Sequence, residues 1–289
     1  MRFPAEALKQ LTDLGLNDLE AEVYAFLLSN LPMTAYAVAR HLGKATANTY
    51  KAIESLARRG AVLIEDGDNR QCRAVPVEEF VGQLERAFSE RTRAVTRSLS
   101  GLQVESRDER VYRLESVPQL FERCRQMFEH AQRVVTVDAF PTTLQRIAND
   151  LRALAARGIT VYVQAYTPTQ IEGTHLIVAP RGGEAASYWN SQQLNVVVDG
   201  RETLIALLDN GLTRIHQALW SNSLYLSCLM HAGIRSEQTV HRLFEAQAAP
   251  DPLQSMRSVL EQHKFFLNSD VPGQKELLAR FVNQGETDA

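Results

Sequence analysis

The chain has 289 residues, 45% hydrophobic and 22% charged, which excludes disordered and collagen-like classes and is long enough for two domains. Lys and Arg number 31 against 34 Asp and Glu, a net charge of −3, so any basic surface for nucleic acid has to be local. Apolar runs stay strand-sized and the amino terminus lacks the apolar core of a secretion signal, which predicts a cytoplasmic protein without a membrane span.

The first element read in chain order is a helix opening at Asn17, where Glu20 three residues on gives a capping box. Leu19, Val23, Phe26 and Leu27 recur at helical spacing to about Ser29, and Pro32 stops the pattern. Thr34 caps a second short helix carrying Val38, Ala39 and Leu42, which Gly43 ends. A third helix spans residues 45–59 with Tyr50, Ile53, Leu56 and Ala57 as its inner stripe. Two strand-like runs at residues 61–65 and 70–75 flank the turn Asp66-Gly67-Asp68-Asn69 and predict a hairpin.

Three short helices and a two-stranded ribbon are the order of a winged helix-turn-helix, in which the third helix enters a major groove about 12 Å wide. Residues 40–73 carry seven basic side chains (Arg40, Lys44, Lys51, Arg58, Arg59, Arg70, Arg73) against four acids, a local balance of +3. The expected DNA contacts are Arg40, Lys44, Thr46, Ala47, Asn48, Lys51, Arg70 and Arg73. Asn bonds adenine bidentately, the Ala and Thr methyls suit the thymine methyl, and Lys and Arg meet phosphate.

Residues 14–81 resemble the amino-terminal domain of the TrmB family of transcriptional regulators. The resemblance rests on Leu14-Gly15-Leu16, Glu20-Ala21, Val23-Tyr24, Leu27-Leu28, Tyr50, Leu56, Gly60, Arg73-Ala74-Val75-Pro76 and Glu78-Glu79. It implies a domain that binds double-stranded DNA.

After Pro76, Val81, Leu84, Phe88, Arg91, Val95, Ser98 and Leu102 alternate three- and four-residue steps, the seam of a coiled coil. Val81, Leu84, Phe88, Val95 and Leu102 are the dimerisation candidates, because a two-fold partner suits palindromic readout. The alternative is an amphipathic helix packed on its own chain. Residues 105–110 read as a linker.

Beyond it, strands around residues 111–115, 133–137, 159–166, 176–179, 194–198 and 203–208 alternate with helices, including residues 144–157. This predicts an α/β domain with a largely parallel sheet, followed by helices at 224–246 and 253–281. The expected boundaries are a DNA-binding domain at 1–80, a connecting helix at 81–110, an α/β domain at 111–235 and a helical segment at 236–289.

The runs Val196-Val197-Val198-Asp199-Gly200, Leu204-Ile205-Ala206, Ala218-Leu219-Trp220-Ser221-Asn222 and residues 155–161 resemble the phospholipase-D-like domain of TrmB-type regulators. Catalytic members of that fold carry H-x-K-x-x-x-x-D. Counted back from Asp199, the Lys position is Leu194 and the His position is Gln192, so nucleophile and charge stabiliser are both missing. A phosphodiesterase or nuclease is therefore a disfavoured alternative, a regulator with no small-molecule effector whose second domain only assembles the oligomer is the other, and no catalytic residue is expected.

The crevice at the strand ends is the expected place for a small-molecule effector, a sugar or other metabolite. Its candidate lining is Asp138, Tyr166, Gln192, Asn195, His216, Trp220 and Asn222. Three cysteines (Cys72, Cys124, Cys228) lie far apart with no CxxC pair, and the histidines lack zinc-ligand spacing. No metal or cofactor is expected.

Overall fold

The computed structural model describes residues 3–67, 70–102, 109–263 and 271–282. The chain divides into two compact units, Met1–Glu105 and Ser106–Ala289.

The first unit opens with α1 (Ala5–Asp13), which the sequence reading did not anticipate, and α2 (Asp18–Leu28). Asn17 Oδ1 accepts from the Glu20 N–H and Glu20 returns the bond to the Asn17 N–H, both at 2.9 Å, so the expected capping box forms. β1 (Met33–Thr34) leads into α3 (Ala35–Leu42), capped by the Thr34 hydroxyl and closed by Gly43 at φ 64°. That left-handed conformation costs glycine nothing.

In α4 (Thr46–Arg58) the inward face is Thr49, Ala52, Ile53 and Leu56, while the expected Tyr50 is 46% exposed. Positions 49, 52, 53 and 56 follow steps of three and four, and Tyr50 lies about 100° round the helix from Thr49. β2 (Val62–Ile64) and β3 (Gln71–Ala74) form the expected hairpin, and β1 adds an antiparallel third strand through Met33 opposite Cys72. Asp68 and Asn69 of the expected turn lie outside the described residues, as do residues 105–108 of the expected linker.

α5 (Val77–Leu99) is rooted in this unit by Phe80, fully buried, whose ring lies 5.3 Å from that of Tyr24. The Tyr24 hydroxyl donates to the Val75 carbonyl at 2.9 Å, and burial followed by the charge of Glu78 lifts its pKa to about 12. Val81 and Leu84 are part-buried, Leu84 against the domain core, whereas Phe88, Val95 and Leu102 are exposed.

The second unit is built on a seven-stranded sheet in the order β4 (Val111–Arg113), β10 (Ile215–Ser221), β9 (Glu202–Leu208), β8 (Gln192–Val198), β5 (Val134–Ala139), β6 (Thr160–Ala165), β7 (His175–Val178). Only β5–β6 and β6–β7 are parallel. The other four pairings are antiparallel, which corrects the expectation of a largely parallel sheet. Short turns at Asp199–Gly200 and after Asp209 join β8, β9 and β10, and chain reversals of that length permit only antiparallel neighbours. β10 was not anticipated because its sequence, Ile-His-Gln-Ala-Leu-Trp-Ser, does not alternate cleanly.

The two faces of the sheet differ sharply. Val135, Val137, Ala139, Val161, Val163, Leu194, Val196 and Leu204 form an apolar face under α6 (Val117–His130) and α7 (Pro141–Ala156). Residues one position along each strand point to the opposite face. There they include Thr136, Asp138, Tyr162, Gln164, Gln193 and Asn195, and the long helix α9 (Leu224–Ala246) reaches Thr136 through His231 and Tyr162 through Arg235.

α8 (Gly182–Trp189) precedes β8 and carries the exposed pair Tyr188 and Trp189. Gly182 allows a close approach, since a Cβ there would stand 2.5 Å from the Tyr166 carbonyl oxygen. The expected helix at 253–281 is two, α10 (Pro252–Gln262) and α11 (Pro272–Val282), and residues 264–270 between them lie outside the described residues.

Candidate DNA interface and effector site

The N-terminal turns of α4 expose Thr46, Ala47, Asn48 and Lys51 while Thr49, Ala52, Ile53 and Leu56 hold the opposite face in the core. The helix start has no side-chain cap and no acid in its first turn, so its free N–H groups and partial positive charge stay open to an anion. Asn48 and Lys51 border a shallow cavity whose other wall is the start of α2 at Asn17 and Leu19.

The remaining expected contacts are not equivalent. Lys44 pairs with Glu22 at 2.7 Å, so its charge is partly neutralised at the point where α4 begins. Arg40 and Arg70 are exposed. Arg73 lines a different groove, between the end of α2 at Leu27 and Leu28 and the start of α5 at Val77.

In the second unit the expected effector residues separate. Asp138 and Asn195 are register partners on neighbouring strands, and Gln193 Nε2 (2.5 Å) and Asn195 Nδ2 (3.0 Å) both donate to Asp138 Oδ2. Gln164 Nε2 donates to the Tyr166 hydroxyl at 3.1 Å, and that hydroxyl lies beside the Asp138 carboxyl. Burial lifts the Asp138 carboxyl to about 6 against the hydrogen bonds of Asn195 and Tyr166, and Glu237 adds to the rise. Among the described residues Asp138 Oδ1, Gln164 Oε1 and Asn195 Oδ1 are buried without a hydrogen-bond partner. Orphaned buried acceptors are uncommon, and three together suit a molecule that brings hydroxyl or amine donors.

Gln192, His216, Trp220 and Asn222 do not join that group, which corrects the expectation of one crevice. Gln192 spends its amide locally, accepting from the Thr142 N–H at 2.9 Å and donating to Asn210 at 3.1 Å. Trp220 faces the other side of the sheet. Its register chain runs through Leu204 and Val196 to Val137, whereas that of Asp138 runs through Asn195, Ile205 and Leu219. The indole stacks on Tyr112, donates to Glu202 at 2.9 Å and carries the Arg123 guanidinium over its ring at 4.3 Å. Asn222 accepts from the Arg110 N–H at 3.3 Å, and His216 is exposed on β10.

Leu194 is fully buried on the apolar face, and Asp199 is a buried anchor that accepts the N–H groups of Gln132, Arg133 and Val134 at 2.7–2.8 Å.

Two family models match the chain and between them span more than half of it. Residues 11–78 match the sugar-specific transcriptional regulator TrmB, and residues 110–215 match the N-terminal subdomain of the TrmB effector-binding domain. The chain belongs to the TrmB family of transcriptional regulators.

This TrmB chain is 21% identical over 274 residues to the uncharacterized protein YrhO of Bacillus subtilis, covering 90% of this chain and 94% of that one. Among solved structures it is similar to TrmBL2, an archaeal chromatin protein whose structure shows a novel mode of DNA binding. That likeness has TM-score 0.40 and 15% identity over 81% of this chain and 97% of the other. NucT from Helicobacter pylori is similar at TM-score 0.36 and 12% identity, over 45% of this chain and 95% of that one.

Among the described residues of this TrmB chain no group of His, Cys, Asp and Glu can hold a metal ion, and no helix is long and apolar enough to cross a membrane. All three cysteines are buried, and burial pushes the Cys228 thiol up to about 11, above the range in which a thiolate forms at neutral pH. Sequence reasoning missed Gln164, Gln193 and Glu237 around Asp138. The spacing of Gln193 with Asn195, and of Tyr162 with Gln164 and Tyr166, was a visible sign, because alternate residues of a strand share a face.

Proposed function

We propose that this chain is a dimeric, sequence-specific transcriptional regulator. Its first unit acts as a winged helix-turn-helix reading double-stranded DNA. Its second unit, phospholipase-D-like in fold and without phosphodiester chemistry, answers to a small molecule. The observation that carries the DNA reading is the placement of Thr46, Ala47, Asn48 and Lys51 on the two exposed N-terminal turns of α4. Those turns are where a recognition helix presents side chains to base edges. Arg40 and Arg70 add backbone contacts, with Lys44 and Arg73 weaker contributors because of their other engagements.

The effector site is the Asp138, Tyr166 and Asn195 group, with Gln164 and Gln193 beside it. Its unpaired acceptors match the hydroxyls of a sugar or similar polyol. Dimerisation runs through Phe88, Val95 and Leu102, whose large apolar side chains are 57–73% exposed. Such exposure on a helix rooted by Phe80 suits a coiled-coil partner better than packing within the unit.

The test is binding of the full-length protein to a fluorescent duplex from its own upstream region, with random duplex as competitor and a salt titration. Saturable binding that survives the competitor and weakens steeply with salt is the expected result. Equal affinity for the upstream and random duplexes overturns sequence-specific regulation.

A further inference from the structure

The polar face of the large sheet carries a cavity of about 420 Å³, apart from the Asp138 group, between the β6–β7 edge and α9. Tyr162 supplies its floor, and Arg235, Gln238, Arg242 and Glu245 line it from α9, with Gln262 at the end of α10. Arg235, Gln238 and Arg242 are three and four residues apart, so all three share one stripe of the helix.

The wall is short of negative charge. Arg235 lies 3.5 Å over the Tyr162 ring and donates to Gln238 Oε1 at 2.6 Å, and Arg242 donates to Gln262 Oε1 at 2.9 Å. Their hydrogen-bond partners are thus neutral amides, and Glu245 is the single acid in the lining against two guanidiniums. Gln238 is 2% exposed, and among the described residues its Nε2 has no hydrogen-bond partner. Burial first, and then the charge of Arg242, lower the pKa of Arg235, the mark of a cation held out of water beside another cation.

A buried donor without an acceptor and a desolvated cation without an anion each cost free energy, and one ligand removes both costs. We infer that this cavity binds a small anionic metabolite. Its carboxylate or phosphate oxygens take the Arg235 and Arg242 guanidiniums and the Gln238 amide N–H. Guanidinium forks match both groups in geometry, and the volume suits a molecule of metabolite size. No residue of the Asp138 group is used. The inference stands on the cavity alone and leans on the regulatory reading only for its consequence on DNA affinity.

The experiment titrates the full-length protein calorimetrically with inorganic phosphate in one arm and succinate in the other, at constant ionic strength in chloride, without DNA. Saturable binding of either anion is expected: phosphate alone points to a phosphorylated ligand, succinate alone to a carboxylate. Arg242→Gln is expected to weaken binding about 10-fold or more, the loss of one charge-assisted contact. Gln238→Glu keeps the acceptor for Arg235 and supplies an internal carboxylate, so it is expected to raise Tm while abolishing anion binding. No saturable binding of either anion in the millimolar range, or undiminished binding by Gln238→Glu, overturns the inference. DNA binding of the same samples reports on the regulatory reading separately, so the two fail independently.

Discussion

Asp199 Oδ1 accepts the Val134 N–H at 2.8 Å and so ties the turn after β8 to the start of β5, two strands that are antiparallel neighbours in the sheet. The same residue offers its own carbonyl to the Gly273 N–H at 2.7 Å, which seats the start of α11 on this turn. The approach requires glycine, because a Cβ on Gly273 would stand 2.1 Å from the Gly200 oxygen. Asp199 is thus a structural anchor for three segments.

Replacing that anchor tests it. Asp199→Ala strands the N–H groups of Gln132, Arg133 and Val134 and puts alanine at φ 54°. A loss of about 2–4 kcal/mol is expected. Asp199→Asn retains one oxygen and tolerates the left-handed backbone, so its loss is smaller. Urea unfolding followed by circular dichroism measures both, and equal midpoints for Asp199→Ala and the parent would refute the anchoring role.

Asn48 and Lys51 are expected to fail differently. Asn48→Ala changes the preferred base at its contact at a cost of about 1–3 kcal/mol for the cognate site, whereas Lys51→Ala weakens all sequences alike and flattens the salt slope by about 1. Anisotropy titrations on an operator and its single-base variants separate the two. Uniform losses for Asn48→Ala would remove its base-reading role.

Asp138 and His231 impose opposite pH trends on stability. Burial raises the Asp138 carboxyl from 3.8 to about 6, so its contribution is full below about pH 4 and is lost as pH rises through about 6. His231, which bonds Thr136 at 2.9 Å, is lowered from 6.5 to about 4 by burial and then by Arg235. Its neutral imidazole contributes fully above about pH 6.5 and loses that contribution as pH falls through about 4. Asp138→Asn removes the first trend: the variant gains about 3 kcal/mol over the parent at pH 7 and declines steadily towards acid. Thermal unfolding from pH 4 to 8 tests this, and parallel curves for variant and parent would contradict it.

Phe88 and Val95 are the positions where a charge breaks the proposed dimer without touching the fold. They are 70% and 57% exposed, while Phe80, which roots the helix, is fully buried. Phe88→Glu with Val95→Glu is expected to give a monomer of unchanged helicity and to weaken operator binding by more than 10-fold, since paired half-sites act together. Light scattering after gel filtration decides it; a dimeric double variant would place the interface elsewhere.

Much of the first unit was legible because its signals are local. Asn17 with Glu20, Thr34, Gly43 and the α4 hydrophobic spacing each act within four residues, the range over which a helix is specified. The stripe of α4 was still misplaced by one position at Tyr50, because an aromatic residue reads as core whether or not the domain turns it inwards. The Asp138 group was half visible, since alternation along β8 pairs Gln193 with Asn195. Trp220 was assigned to the same crevice because nothing in its own strand says which face the neighbouring register gives it.

By itself the sequence determined the helix starts and stops of the first unit from Asn17 onward, its local excess of basic side chains, and the presence of glutamine and leucine at positions 192 and 194. Each is a property of residue type and short spacing. Tertiary structure alone decided that the large sheet is mostly antiparallel, that Asp138 and Trp220 face opposite sides, and that Arg235, Gln238 and Arg242 meet Tyr162 across a cavity. Those facts depend on strand order and on which sheet face α9 covers, and such long-range pairings are fixed by the packing of the whole domain rather than by any one segment.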